Sequence, residues 1–113
     1  MTTRTYQIKH NDANQLMTIY LTNDDDSAID VSEASEIKFH CGMTDETAIV
    51  DEDVDVVGDG TDGIVTYRWT AEDTANEPGE YNAEVQITWP DDTIKTTPTK
   101  LGEAKVVIYD EVA

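Results

Sequence analysis

The chain is short of cations. Seven Lys and Arg stand against 25 Asp and Glu in 113 residues, a formal net charge of −18. A polyanion of this kind repels phosphate backbones, which argues against nucleic-acid binding, and an anionic membrane surface is disfavoured for the same reason. Cysteine is limited to Cys41, so no internal disulfide can form, and a small buried strand residue is the ordinary reading of a lone Cys. No apolar run approaches the roughly 18 residues of a membrane span, the N-terminus Met-Thr-Thr-Arg-Thr-Tyr lacks an apolar signal core, and no Asn-x-Ser/Thr sequon occurs. The expectation is a chain made in the cytoplasm of the producing cell, without a signal peptide of its own.

What is present is alternation. Val65, Tyr67 and Trp69 fall on one side of a segment whose other side holds Thr66 and Arg68. Tyr81, Ala83, Val85, Ile87 and Trp89 oppose Asn82, Glu84, Gln86 and Thr88 in the same way. A period of two with one apolar side marks half-buried antiparallel strands. Such periodic segments, with two Trp and five Tyr, argue against an acidic disordered chain. The acidity then reads as adaptation to high salt. At about 1 M the Debye length is only about 3 Å, and repulsion among surface carboxylates is screened. The excess of 15 Asp over 10 Glu and the scarcity of Lys, five in all, fit a halophilic source.

Further strands are expected at Thr5 to Lys9, Leu16 to Thr22 (Met17, Ile19 and Leu21 facing one way) and Glu36 to Cys41 (Ile37, Phe39 and Cys41 inward). Weak strands are expected at 48–50 and 54–57, then strands at Thr93 to Thr97 and Ala104 to Tyr109, with Val106 and Ile108 inward. Ile29, Val31 and Ala34 are apolar pins in a turn-rich connection. The Gly58 to Gly63 cluster is a tight turn, and Thr70 with Asp73 forms a capping-box start for one helical turn through Asn76. Pro78-Gly79 suits the centre of a type II turn. Seven to nine short strands at regular spacing, with no repeat or linker, predict one domain over residues 1–113: an all-β, immunoglobulin-like antiparallel sandwich. Its predicted core is Ile19, Leu21, Ile37, Phe39, Val65, Tyr67, Trp69, Tyr81, Val85, Ile87, Trp89, Val106 and Ile108.

No chemistry-bearing constellation emerges. Asp51-Glu52-Asp53-Val54-Asp55 begins like a calcium loop, yet Val56 and Asp62 hold the places where Gly and a bidentate Glu are needed. It reads as a solvated acidic strand edge, and Asp24-Asp25-Asp26 as a solvated loop. His40 and Cys41 are strand neighbours that point to opposite faces, so they cannot act as base and nucleophile. His10 lies in a loop. Catalytic, cofactor-binding and metal-ligating residues are therefore expected to be absent. Tyr81, three residues after Pro78, suits the tyrosine of a corner that ties a loop to its own strand.

The segments Ile19-Tyr20-Leu21-Thr22, Ile29-Asp30-Val31-Ser32 and Ile37-Lys38-Phe39-His40, followed by Gly63 to Thr74 and Pro78 to Glu84, carry a resemblance. Over roughly Asn14 to Val107 they are similar to the small immunoglobulin-like domain of tailed phages, best known as the N-terminal region of the baseplate upper protein. The acidic Asn23 to Ser27 and Asp91-Asp92 depart from that pattern, which has Gly-containing turns there. The resemblance implies a non-enzymatic part of a virus particle, at the tail, baseplate or capsid surface. With the acidity, it suggests a tailed virus of a halophilic archaeon. The expected partners are other virion proteins in a homo-oligomer or symmetric array, with neither nucleic acid nor membrane. The expected contacts lie on the less acidic ends: Thr2, Thr3, Arg4, Thr5 and Tyr6, and Lys95, Thr96, Thr97, Lys100 and Lys105. The acidic stretches Asn23 to Ser27 and Asp51 to Asp55 are expected to stay in solvent. The rival reading is a cell-envelope adhesion or carbohydrate-binding module.

Overall fold

A computed structural model describes residues 4–23, 25, 27–42, 48–98 and 104–110. Among these described residues, nine strands and one helical turn follow in order: β1 Arg4–Lys9, β2 Leu16–Tyr20, β3 Glu36–Gly42, β4 Val50–Asp53, β5 Asp55–Val56, β6 Ile64–Arg68, α1 Ala71–Thr74, β7 Gly79–Thr88, β8 Ile94–Thr97 and β9 Ala104–Tyr109. One sheet has the order β1-β9-β7-β3-β4, with β8 also on β7, and the second has the order β2-β6-β5. This is the expected all-β sandwich. The expectation of antiparallel pairing fails at one place: β1 runs parallel to β9, from Arg4 beside Ala104 to Lys9 beside Tyr109. Strands β8 and β9 share one edge of β7, Thr97 pairing with Val85 and Lys105 with Asn82.

The alternating residues meet between the sheets. Leu21, Ile37, Phe39, Val65, Tyr67, Trp69, Tyr81, Val85, Ile87, Val106 and Ile108 are all buried, joined by Ile8, Met17 and Cys41. Ile19 and Trp89 are corrections to the predicted core, being only half-buried against it. Ile19 belongs to an edge strand, and Trp89 comes one residue after the end of β7. At the centre, Trp69 is fully buried. It meets Tyr67 edge-on at a centroid distance of 5.4 Å, meets Phe39 at 5.8 Å, and stacks on Tyr6 at 6.2 Å. Edge-to-face pairs set the positive ring edge against a neighbour's negative face, which fixes orientation as well as burial.

The β2–β3 connection is laced down by its backbone. Leu21 N–H donates to Gly63 C=O at 2.7 Å and Val31 N–H to Gly60 C=O at 2.9 Å, which seats the buried Ile29 and Val31. Gly63 is required here. Its φ is +66°, and an added Cβ would stand 2.5 Å from the Ile29 carbonyl oxygen. Thr70 caps α1, its Oγ1 accepting from Asp73 N–H at 3.2 Å while Asp73 Oδ2 accepts from Thr70 N–H at 3.1 Å. The turn stops at Thr74, short of the expected Asn76.

Two boundaries differ from expectation. The acidic run Asp51-Glu52-Asp53 lies within β4, so the strand expected at 48–50 is displaced to Val50–Asp53; Val54 is where the chain crosses to the other sheet, and the strand expected at 54–57 is present but trimmed to Asp55–Val56. Val54 N–H still bonds Ile37 C=O at 3.2 Å, holding the crossing against β3. Gly79 has a φ of +154°, far from the +80° or so of a type II turn. It opens β7 instead.

Candidate docking cleft and strand edges

A cleft of about 400 Å³ opens between the sheets on the side where β2 faces β1 and β9. Phe39, Ala83, Val85 and Val106 form its apolar floor, and Tyr6 and Tyr20 stand among its walls. Thr97 Oγ1 donates to the Thr22 carbonyl at 2.9 Å, bonding β8 to the segment after β2. Burial beside Trp69 raises the Tyr6 phenol above its ordinary pKa, which keeps it a neutral hydrogen-bonding group. Lys105 pairs with Glu80 at 3.3 Å on the outer side of β9 and β7.

Four of the expected contact residues come together here: Thr5, Tyr6, Thr97 and Lys105 all line the cleft. Lys95 and Thr96 lie on β8 but are not among its lining residues. Arg4 opens β1, while Thr2, Thr3 and Lys100 lie outside the described residues. Sequence reasoning missed the opposite wall. Strand β2 is the edge of its sheet, with Leu16 51% and Tyr20 61% exposed. Its signal was readable: Ala13 to Asn23 is the longest stretch of the chain without Asp, Glu, Lys or Arg. An uncharged edge with exposed apolar groups is a template for pairing, the feature that soluble proteins ordinarily guard with charge.

A second concavity, beside β4 and α1, is lined by Glu52, Asp53, Asp55, Arg68, Glu72 and Asp73. At its base the Tyr67 hydroxyl donates to Asp73 Oδ2 at 2.5 Å. Burial first, and that bond second, push the Tyr67 phenol well above its ordinary pKa. The arrangement is a structural clamp between β6 and α1. Among the described residues, no group of three His, Cys, Asp or Glu side chains is placed to hold a metal ion.

The remaining singled-out residues have structural work. His40 Nε2 lies 3.0 Å from Asp51 on the outer face, while Cys41 is buried on the inner face. Burial pushes the Cys41 thiol up to about 12, which disfavours the thiolate that nucleophilic chemistry needs. His10 Nδ1 lies 3.2 Å from Asn11 Nδ2. The Tyr81 hydroxyl donates to the Glu77 carbonyl, the tyrosine corner expected of it. Four acidic loops share one device. Asp25, Asp30, Asp59 and Asp91 each accept the backbone N–H of the Ser or Thr two residues on, at 2.9–3.1 Å. Such bonds hold turns. The side-chain hydroxyls of the same Ser and Thr residues first, and these backbone bonds second, lower all four carboxyl pKa values.

The model of the BppU N-terminal domain family, the N-terminal domain of the baseplate upper protein, matches residues 3–99. The chain belongs to this family. No curated protein matches it. A BppU N-terminal domain is a structural part of a phage baseplate, so the chain is a virion component that meets other virion proteins. The matched span contains β1 to β8 and the cleft residues they carry, but ends before β9, which supplies Ala104, Lys105 and Val106 to the cleft. Among the described residues, no helix of this domain is long and apolar enough to cross a membrane.

Proposed function

We propose that this BppU-type domain is a non-enzymatic docking module, held in place by contacts around the cleft between β2 and β1–β9. The observation that carries the reading is convergence. An uncharged sheet edge, an apolar cleft and the poorly acidic terminal strands occupy one side of a molecule that is otherwise strongly acidic. A partner strand laid along β2 would satisfy its outward backbone groups, and an apolar side chain from that partner would fill the cleft. Each contact can be weak, because neighbouring copies in a particle raise the effective concentration for the next. The acidic loop around Asp25 stays in solvent, since its carboxylate already accepts two bonds within its own turn. The charge of −18 suits a module that works in high salt, as in a tailed virus of a halophilic archaeon.

Photo-crosslinkers placed at Tyr20 and Thr5 in the assembled particle test this. Adducts from both positions to a different virion protein are expected. Adducts arising instead from position 25, with none from the cleft, would refute it. Tyr20, exposed at the cleft, is the observation that favours the rival carbohydrate-binding reading. Tyr6 serves that reading poorly, because one ring face is committed to Trp69. A glycan array showing Tyr20-dependent binding would decide for the rival.

A further inference from the structure

The larger sheet is open at both ends, and the two ends are opposite in charge. Strand β1 carries Arg4 and Lys9 with no carboxylate, two of the seven Lys and Arg in the chain. Strand β4 carries Asp51, Glu52 and Asp53 with no cation. Among the described residues, β1 pairs only with β9 and β4 only with β3. We infer that a second copy of this chain sets its β4 against β1, so that copies join head to tail through one continuous sheet. The inference deepens the docking reading by naming a copy-to-copy contact distinct from the β2 cleft.

Three features of the sheet support this partner. The first is direction. Strand β1 runs with β9, β9 against β7, β7 against β3, and β3 against β4. The two ends therefore run oppositely, and a neighbour held in the same orientation presents β4 antiparallel to β1, the commoner pairing in sheets.

The second is facing. Lys9 pairs with Tyr109, on the side of β9 opposite the buried Ile108, so it belongs to the outer face. Asp51 and Asp53 are also on the outer face, where Asp51 meets His40 and Asp53 pairs in register with Lys38. Joined in the same orientation, the sheets bring Lys9 to the face that carries these two carboxylates. Side chains stand perpendicular to a sheet, so pairing at the edge desolvates backbone groups and leaves Asp51 and Asp53 in water. The expectation that this acidic stretch stays in solvent is thus kept for its side chains and given up for its edge.

The third is exclusion of the alternatives. Two β1 edges would set cation against cation, and two β4 edges would set carboxylate against carboxylate, both unfavourable across a strand pair. Only the mixed pair is attractive, and a mixed contact is heterologous. It closes into a ring or propagates as a filament, according to the rotation between copies. The right-handed twist of the sheet supplies that rotation.

A charge swap tests the contact in the isolated full chain by sedimentation velocity and equilibrium. The ionic strength is about 0.15 M, where screening over about 8 Å mutes repulsion between whole copies but not contact pairs. The wild type is expected to show a weight-average mass that rises with concentration. Lys9→Glu alone, and Asp51→Lys with Asp53→Lys, should each weaken association by about tenfold, from loss of an attractive pair and gain of a repulsive one. An equimolar mixture of the two should restore it, because each supplies the edge the other lacks. Unchanged far-ultraviolet circular dichroism shows that each variant is folded. A wild type that stays monomeric to about 1 mM, or a mixture that fails to recover, overturns the inference. Neither result bears on crosslinks from Tyr20, which lies on β2 in the other sheet and on neither joined edge, so the docking reading stands or falls separately.

Discussion

Replacing Trp69 by Ala removes the centre of the aromatic cluster. The side chain is fully buried and touches Tyr6, Phe39 and Tyr67, rings drawn from β1, β3 and β6 on both sheets. Large aromatic deletions in cores cost about 3–5 kcal/mol, part from lost transfer energy and part from the cavity left behind. Three rings bordering one cavity cannot collapse into it without leaving their own strands, so the upper half of that range, about 4–5 kcal/mol, is expected. Against the 5–15 kcal/mol that typically stabilises a domain, this is about a quarter of the total or more. At roughly 4 °C per kcal/mol for a domain near 100 residues, the melting midpoint falls by about 15–20 °C.

Trp69→Phe sharpens the argument. The indole Nε1–H is buried and has no acceptor among the described residues, a state that costs about 1–3 kcal/mol. Phe removes that donor together with some volume, so the two effects offset, and the net loss is expected to stay below about 2 kcal/mol. Urea titrations followed by circular dichroism give both values. A Trp69→Ala loss under about 1 kcal/mol, or a Phe variant as damaged as the Ala variant, would refute the reasoning.

Three further outcomes are expected. Gly63→Ala combines a left-handed φ with a Cβ clash on the Ile29 carbonyl and should cost more than about 1 kcal/mol, whereas Gly58→Ala, with open space around it, should suffer only the strain of its φ. The carboxyls of Asp25, Asp30, Asp59 and Asp91 have folded pKa values below their unfolded ones, so their contribution is complete above the unfolded value near 4 and is lost as pH falls through the folded values. Thr61→Ala with Thr93→Ala should therefore flatten the acid limb of a melting-midpoint curve below about pH 4, and an unchanged limb would count against these turns. Melting midpoints should also rise from about 0.1 M to 3 M salt, and a flat series would mean that self-repulsion of the 25 carboxylates is not what limits stability.

The strands that bury one side were readable, because alternation survives even in an acidic chain. Tyr81 to Ile87 and Val65 to Trp69 could be placed on an inner face from their spacing alone, and every one of their inward residues is buried. The edges were harder. Whether a strand has one neighbour or two depends on contacts far along the chain, and the parallel pairing of Arg4–Lys9 with Ala104–Tyr109 joins segments about a hundred residues apart. That is why β2 was read only as a source of core residues, although its lack of charge also marked it as an open edge. The run Asp51 to Asp53 is legible as an exposed acidic strand edge, but the strand that it belongs to is not. Asp and Glu are poor strand formers, and only the ladder with β3 makes a strand of them. Of the cleft, the wall formed by Thr5, Tyr6, Thr97 and Lys105 could be reached from local acidity. The opposite wall required the sheet order.

The parallel register of β1 and β9 has a mechanical consequence. Arg4 sits beside Ala104 and Lys9 beside Tyr109, so the start of one strand lies at the opposite end of the pair from the finish of the other. Tension applied at residues 4 and 109 therefore runs along both strands, and their shared hydrogen bonds bear it together, in shear. An antiparallel pairing of the same two segments would place the loaded ends side by side, and its bonds would open one after another. For a part held in a baseplate, this arrangement spreads a pull across a whole ladder instead of a single rung.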